Sequence, residues 1–364
     1  ERARRLPRWA VVGAIVSIGL LWRLWLTTRF YGWEESDYGN LAMVRGVLES
    51  GFLRHELDHM PLYYALGAAL MAVVGDAAIA ACSVSLIGGL VALGLAVALA
   101  DRVFGRRVAV IAGLLLVIQP EFALYSSSSL REPLYACFIM LTLWGMVEER
   151  AWVAGTAATA GFLVRFDAVL SLGLVVVLWC LMRRERLRER VCSLIPLAAG
   201  VMGWALYYHA HEGTWEFWAH AAQRNVDTGL GEEAVSAAGW WGRGISVSWD
   251  LVTGLLPSRI GWGVFIGLGA MVLAQLWRKR ELPRLWCLLA VSLVGCWAGI
   301  GMVAQHDPVH NLYWKWLCPF VPVVVPLGVA QLLTWTERLE PMGWLGAGLM
   351  LSIVLGQGAW SSWL

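Results

Sequence analysis

The chain has 364 residues, of which 59% are apolar, and its mean hydropathy is +0.63. Its 28 basic and 26 acidic residues make it only 15% charged, against roughly 25% for an ordinary soluble domain. This composition excludes a soluble enzyme, a disordered chain and a nucleic-acid binder. Apolar runs recur at the length needed to cross a hydrocarbon layer of about 30 Å, whereas a barrel would show alternating segments of about 10 residues. The expectation is an all-α integral membrane protein: a multi-span helical bundle of about 11–12 transmembrane helices, forming one domain over 1–364.

The apolar segments fall at 9–29, 60–75, 77–100, 108–126, 133–147, 151–166, 168–182, 191–208, 261–277, 285–304, 316–333 and 344–360. No cleavable signal peptide is expected, because no small-residue cleavage site follows the first run. The 23 tryptophans suit helix ends anchored at two interfaces. All seven cysteines lie inside apolar runs without a C-x-x-C pair, so they read as core residues rather than metal ligands or disulfides.

Four short stretches hold 16 of the 28 basic residues: Arg2–Arg8, Arg102–Arg107, Arg183–Arg190 and Arg278–Arg284. They mark the cytoplasmic side, with the N-terminus there. The loops 30–60 and 209–260 each carry six acidic residues against two and three basic ones, and so belong outside. The first is the expected catalytic loop and the second a lid. Residues 1–8 and 101–107 then share a side although three apolar segments lie between them. The short segment 60–75, opening at Met60-Pro61, is expected to lie obliquely or to enter and return.

The unusual polar groups gather on the outer side. In GWEESDYGNLAMVRGVLESG, Tyr38, Leu41, Val44 and Leu48 recur at helical spacing, predicting an amphipathic helix along the interface. Glu34, Glu35 and Asp37 precede or open it, where carboxylates cap a helix or, close to lipid, serve as a base. Asp58 and His59 stand just before the next apolar segment. Further on, YSSSSLREPLY places Arg131 and Glu132, and FLVRFDAVL places Arg165 and Asp167, in apolar surroundings. Such charges are expensive there unless paired or functional, and an internal pair holding each turn competes with a binding role. Lys315, between Trp314 and Trp316, is either a snorkelling lysine or a ligand-facing cation. His306, Asp307 and His310, like His209, His211, Glu216 and His220, match no strong metal motif.

The order of these elements carries a resemblance: EESDYGNLA, then PLYY, SSSLREPLY, LVRFDAVL and YWKWLCPFVP. It resembles the GT-C superfamily of integral-membrane glycosyltransferases, and within it the aminoarabinose-transferase and protein O-mannosyltransferase group. The resemblance implies transfer of a sugar from a polyprenyl-phosphate or dolichyl-phosphate donor to a protein, lipid or glycan acceptor. Transfer would occur at the extracytoplasmic face of a bacterial inner membrane, with inversion. The family's first loop reads D-E-x-x-Tyr/Phe; aligned on Tyr38, Glu34 stands at the Asp position and Glu35 at the Glu position. The family base is thus carried to Glu34, Glu35 or Asp37. Tyr38, Asp58, His59, Tyr63, Arg131, Glu132, Arg165 and Lys315 are the expected substrate-binding set. A divalent metal stays open as cofactor, since some relatives use one. Two other readings compete: a noncatalytic prenyl-lipid-binding relative or scaffold, and a transporter or flippase for lipid-linked sugars, although charges at the outer boundary and no internal repeat disfavour the latter.

Overall fold

Helices form where the apolar runs lie, and the computed structural model describes residues 7–30, 35–50, 60–182, 186–215, 286, 289 and 318–338. In chain order they are α1 (Arg8–Phe30), α2 (Glu35–Ser50), α3 (Leu62–Val74), α4 (Ala77–Val103), α5 (Arg106–Ile118), α6 (Pro120–Tyr125), α7 (Glu132–Val147) and α8 (Ala151–Val164). A π-helical turn, Val169–Gly173, leads into α9 (Leu174–Met182), followed by α10 (Leu187–Val191) and α11 (Leu194–Glu212). A 3₁₀ turn, Cys318–Phe320, opens α12 (Val321–Arg338). No strand occurs among the described residues. The expected spans 261–277 and 344–360, all but Trp286 and Leu289 of 285–304, and most of the 209–260 loop lie outside the described residues.

Ion pairs fix which helix ends lie together. Arg8 pairs with Asp101 at 2.9 Å, Arg102 with Glu148 at 2.5 Å, and Arg190 with Glu149 at 2.6 Å. Three of the four basic stretches therefore share one end of the bundle, as their composition implied. Arg190 is buried there, its second bond to Glu149 spanning 3.1 Å and its Nη1 donating to the Trp179 carbonyl at 2.8 Å. Glu149 adopts the left-handed φ of 54°, a conformation that costs roughly 1 kcal/mol for a residue with a Cβ.

The chain reverses between α3 and α4. Gly75, at φ 77°, caps α3 and its N–H reaches Met71 O, while the Asp76 carboxylate accepts from Ile79 N to start α4. The helices then run back against each other, with the Tyr63 hydroxyl 3.2 Å from Ala81 O. At 13 residues α3 rises about 20 Å and the 27 residues of α4 about 40 Å, so α3 accompanies only the first part of α4.

Small residues let the central helices touch backbone to backbone. A Cβ on Gly88 of α4 would lie 2.7 Å from the Leu134 Cα of α7, and one on Gly145 of α7 would lie 2.5 Å from the Ala154 N of α8. A Cβ on Gly155 of α8 would collide with the Ser193 carbonyl at the start of α11.

Candidate active site

The end opposite the ion-paired basic stretches is built from two turns. After α6 the chain leaves the helix at four consecutive serines, where the last helical carbonyls lose their partners. The side chains supply them: Ser126 donates to Phe122 O at 2.5 Å, Ser127 to Ala123 O at 2.8 Å and Ser128 to Tyr125 O at 3.1 Å. The turn ends at Arg131, and α7 starts on Glu132 with a proline in its first turn, a residue that fits there because its missing N–H has no helical partner anyway. The second turn follows α8, where Arg165 switches to extended backbone (φ −147°, ψ 125°).

These turns, 33 residues apart in sequence, meet through Arg165. Its Nε donates to Asp167 Oδ1 at 2.9 Å and its Nη1 to Glu132 Oε1 at 3.2 Å, and its guanidinium lies 5.7 Å from the centre of the Tyr135 ring. Arg165, Asp167 and Glu132 are 6%, 5% and 3% exposed. Arg131 stands at the mouth of the cluster, its side chain 26% exposed and its Nε 3.9 Å from Glu132 Oε1. The second oxygen of Glu132, Oε2, is buried without a hydrogen-bond partner. Tyr135 and Ser171 close the floor: their hydroxyls are 2.9 Å apart, and Ser171 donates to Asp167 O at 3.1 Å.

Two cations and two carboxylates make the quartet neutral, which limits the cost of holding it at low dielectric. The depth is set by Ser85, whose Oγ donates to Leu130 O at 2.5 Å. Ser85 lies 18 residues from Val103, or about 27 Å above the basic end of α4. The quartet is therefore separated from the basic end by nearly the thickness of an apolar layer of about 30 Å.

The expected helix is present as α2. Asn40 and Val44 are buried, while Tyr38 is 61% exposed and Leu48 is 45% exposed. Tyr38, aligned with the family's aromatic residue, thus projects from the bundle. Tyr63, expected to bind substrate, is fully buried, with its hydroxyl 3.1 Å from Ser85 Oγ. Glu35 and Asp37 lie in the first turn of α2. Glu34, Asp58, His59 and Lys315 lie outside the described residues, as do His306, Asp307, His310, Glu216 and His220. His209 and His211 end α11 stacked on Trp215 and Tyr207, with ring centroids 4.0 and 4.4 Å apart. No group of three metal-ligating side chains occurs among the described residues.

Sequence reasoning passed over Asn40, Tyr64, Ser85 and Arg23, all polar residues inside apolar or amphipathic runs. Arg23 of α1 is fully buried; its Nη1 donates to Gly19 O at 3.2 Å, its guanidinium lies 5.0 Å over Phe122, and its Nε and Nη2 have no partner. Its oddity is legible in the sequence as a lone arginine inside the first span.

Residues 58–208 match the dolichyl-phosphate-mannose-protein mannosyltransferase family. No curated protein matches the chain by sequence. Among solved structures, ArnT from Cupriavidus metallidurans bound to undecaprenyl phosphate superimposes with a TM-score of 0.67 at 16% identity, over 95% of this chain and 63% of ArnT. The oligosaccharyltransferase of Archaeoglobus fulgidus does so with a TM-score of 0.61 at 12% identity, over 95% of this chain and 52% of its own. This chain spans less than two thirds of the length of either. By fold across the chain, and by family signature over 58–208, the protein resembles the GT-C integral-membrane glycosyltransferases, as its motif order implies.

Proposed function

We propose that the protein transfers a sugar from a polyprenyl-phosphate donor to an acceptor hydroxyl, at the membrane face opposite the basic stretches. The observation that carries this reading is the buried Arg165 bridge. It holds Glu132 with one oxygen engaged and the other unpartnered, next to the partly buried Arg131. ArnT, which shares the fold, is bound to undecaprenyl phosphate.

In this mechanism a first-loop carboxylate, Glu34, Glu35 or Asp37, takes the proton of the acceptor hydroxyl. The acceptor oxygen attacks the anomeric carbon while the bond from that carbon to the phosphate oxygen breaks. The electron pair leaves on the lipid phosphate, and configuration inverts. Fixed cations oppose the charge that grows there, a contribution of several kcal/mol in a poorly hydrated site. Arg131 is the cation whose geometry suits this role; Lys315, three residues before Cys318, and His59 supply further charge. Arg165 is committed to Glu132 and Asp167, so it acts by holding Glu132 towards the sugar. Tyr38 and Asp58 complete the substrate contacts. The excess of basic residues at the opposite end supports an extracytoplasmic site in a bacterial inner membrane.

The test uses purified protein in lipid nanodiscs with synthetic undecaprenyl-phosphate-linked sugars, and mass spectrometry of released undecaprenyl phosphate. Release that is lost in at least one of Glu34→Gln, Glu35→Gln and Asp37→Asn supports the reading, and full activity in all three removes the proposed base. Binding of undecaprenyl phosphate without release from any donor overturns catalysis in favour of a noncatalytic lipid-binding relative. Repeating the assay with EDTA and with added Mn²⁺ decides whether a divalent metal takes part.

A further inference from the structure

The backbone just before Arg131 and Glu132 is held in an unusual way. Two consecutive carbonyls, Ser129 and Leu130, lie outside any helix, and each is captured by a buried side chain of a different helix. Asn40 Nδ2 of α2 donates to Ser129 O at 2.7 Å, and Ser85 Oγ of α4 donates to Leu130 O at 2.5 Å. Behind each donor stands one of two adjacent tyrosines of α3. The Tyr64 hydroxyl donates to Asn40 Oδ1 at 2.9 Å, and the Tyr63 hydroxyl lies 3.1 Å from Ser85 Oγ. The Tyr63 hydroxyl also lies 3.2 Å from Ala81 O, so Ser85 is one of two partners within its reach. Neighbouring residues of α3 thus stand behind neighbouring carbonyls of the turn, and the tyrosine rings meet edge to face at 5.4 Å.

The Asn40 branch does more than close a turn, because Asn40 belongs to the surface helix that opens with the acidic residues. α2 is anchored at two points one turn apart. One is Asn40, 8% exposed with both halves of its amide engaged; the other is Val44, fully buried in the notch left by Gly67. Tyr38, on the side of the helix opposite Asn40, is exposed. A buried amide that loses its partners is costly, so the pair of bonds fixes the roll of α2 about its axis. The same bonds fix its height against Arg131 and Glu132. Each residue of roll is 100° of helix, so the register at Asn40 decides where the first turn of α2 points.

Resting on the glycosyl-transfer reading, we propose that Asn40 is a positioning residue for sugar transfer, which locks the acidic start of α2 onto the Arg131–Glu132 element, with Tyr64 orienting its amide.

The test compares wild type with Asn40→Leu, Tyr64→Phe and the double variant in nanodiscs. It measures kcat and KM for release of undecaprenyl phosphate from undecaprenyl-phosphate-linked sugar, undecaprenyl phosphate binding by native mass spectrometry, the apparent Tm, and hydrogen exchange by peptide. In Asn40→Leu, kcat falls by about ten- to a hundredfold, the scale of an ångström of misplacement. KM and lipid binding stay within about twofold, since bound donor is still held. Exchange rises in the peptide 35–50 above the rest of the bundle. Tyr64→Phe gives a smaller fall, and the double variant is no worse than Asn40→Leu, because the two bonds act in series. An unchanged kcat in Asn40→Leu overturns the proposal, as does a fall accompanied by a lowered Tm and raised exchange throughout. No release from wild-type protein refutes the transfer reading and this proposal with it; release by wild type with an unaffected Asn40→Leu refutes this proposal alone.

Discussion

Replacing Arg165 by Met tests whether the two turns are held together electrostatically. Met keeps much of the volume but removes the cation between Asp167 at 2.9 Å and Glu132 at 3.2 Å. At an effective dielectric of about 20, each contact is worth roughly 5 kcal/mol of gross attraction. Most of that is offset by desolvation, and the net cost of removing one member of a buried ion cluster is about 3–5 kcal/mol. For a chain of this size each kcal/mol moves the melting temperature by about 2 °C, so Arg165→Met should lower it by roughly 6–10 °C. The assay is intrinsic-fluorescence or size-exclusion melting in detergent, read together with undecaprenyl phosphate release. The triple variant Arg165→Met, Glu132→Gln, Asp167→Asn removes the buried charges and leaves only the partly exposed Arg131, so it should recover most of the loss in stability without recovering activity. A single variant that melts within about 1 °C of wild type, or a triple variant less stable than the single one, would refute the electrostatic argument.

Four other predictions follow from packing and charge. Gly88→Ala places a Cβ 2.7 Å from the Leu134 Cα, so it should cost about 1–3 kcal/mol and reduce turnover by displacing the start of α7. Gly13→Ala meets nothing within 4 Å and should melt no lower than wild type. Arg23→Met removes two unpartnered buried donors and should raise stability by about 1–4 kcal/mol in the same melting assay; a lower melting temperature would show that the cation contributes more than its desolvation costs. Glu149→Gly relieves the left-handed φ of 54° but strands the buried Arg190, and the melting temperature should fall despite the relieved backbone.

Much of the architecture was legible because long apolar runs announce themselves. The expected segments 77–100, 133–147 and 151–166 became α4, α7 and α8 with ends shifted by a few residues. The segment 108–126 did not remain one helix, because Gln119 turns extended before Pro120 and α6 restarts there. The site was legible in part. Arg165 and Asp167, two residues apart, do form the internal pair that their spacing allowed. Sequence gives no distance between residues 132 and 165, so the bond that joins the two turns was invisible. Tyr63 shows the same limit: sequence places it beside a polar loop, and only tertiary packing reveals its hydroxyl 3.1 Å from Ser85 Oγ. Asn40 was hidden because one amide on an amphipathic helix reads as an ordinary surface residue.

The glycine contacts among α4, α7, α8 and α11 have a consequence for traffic through the protein. Main chains in direct contact leave no slot, and they slide past one another only at the cost of steric overlap. These four rods therefore behave as a keel, and under the proposed transfer reading the isoprenoid tail of a donor would travel along its flank instead of threading it. Loosening the seam to widen that route would also unseat the helix on which Glu132 is mounted.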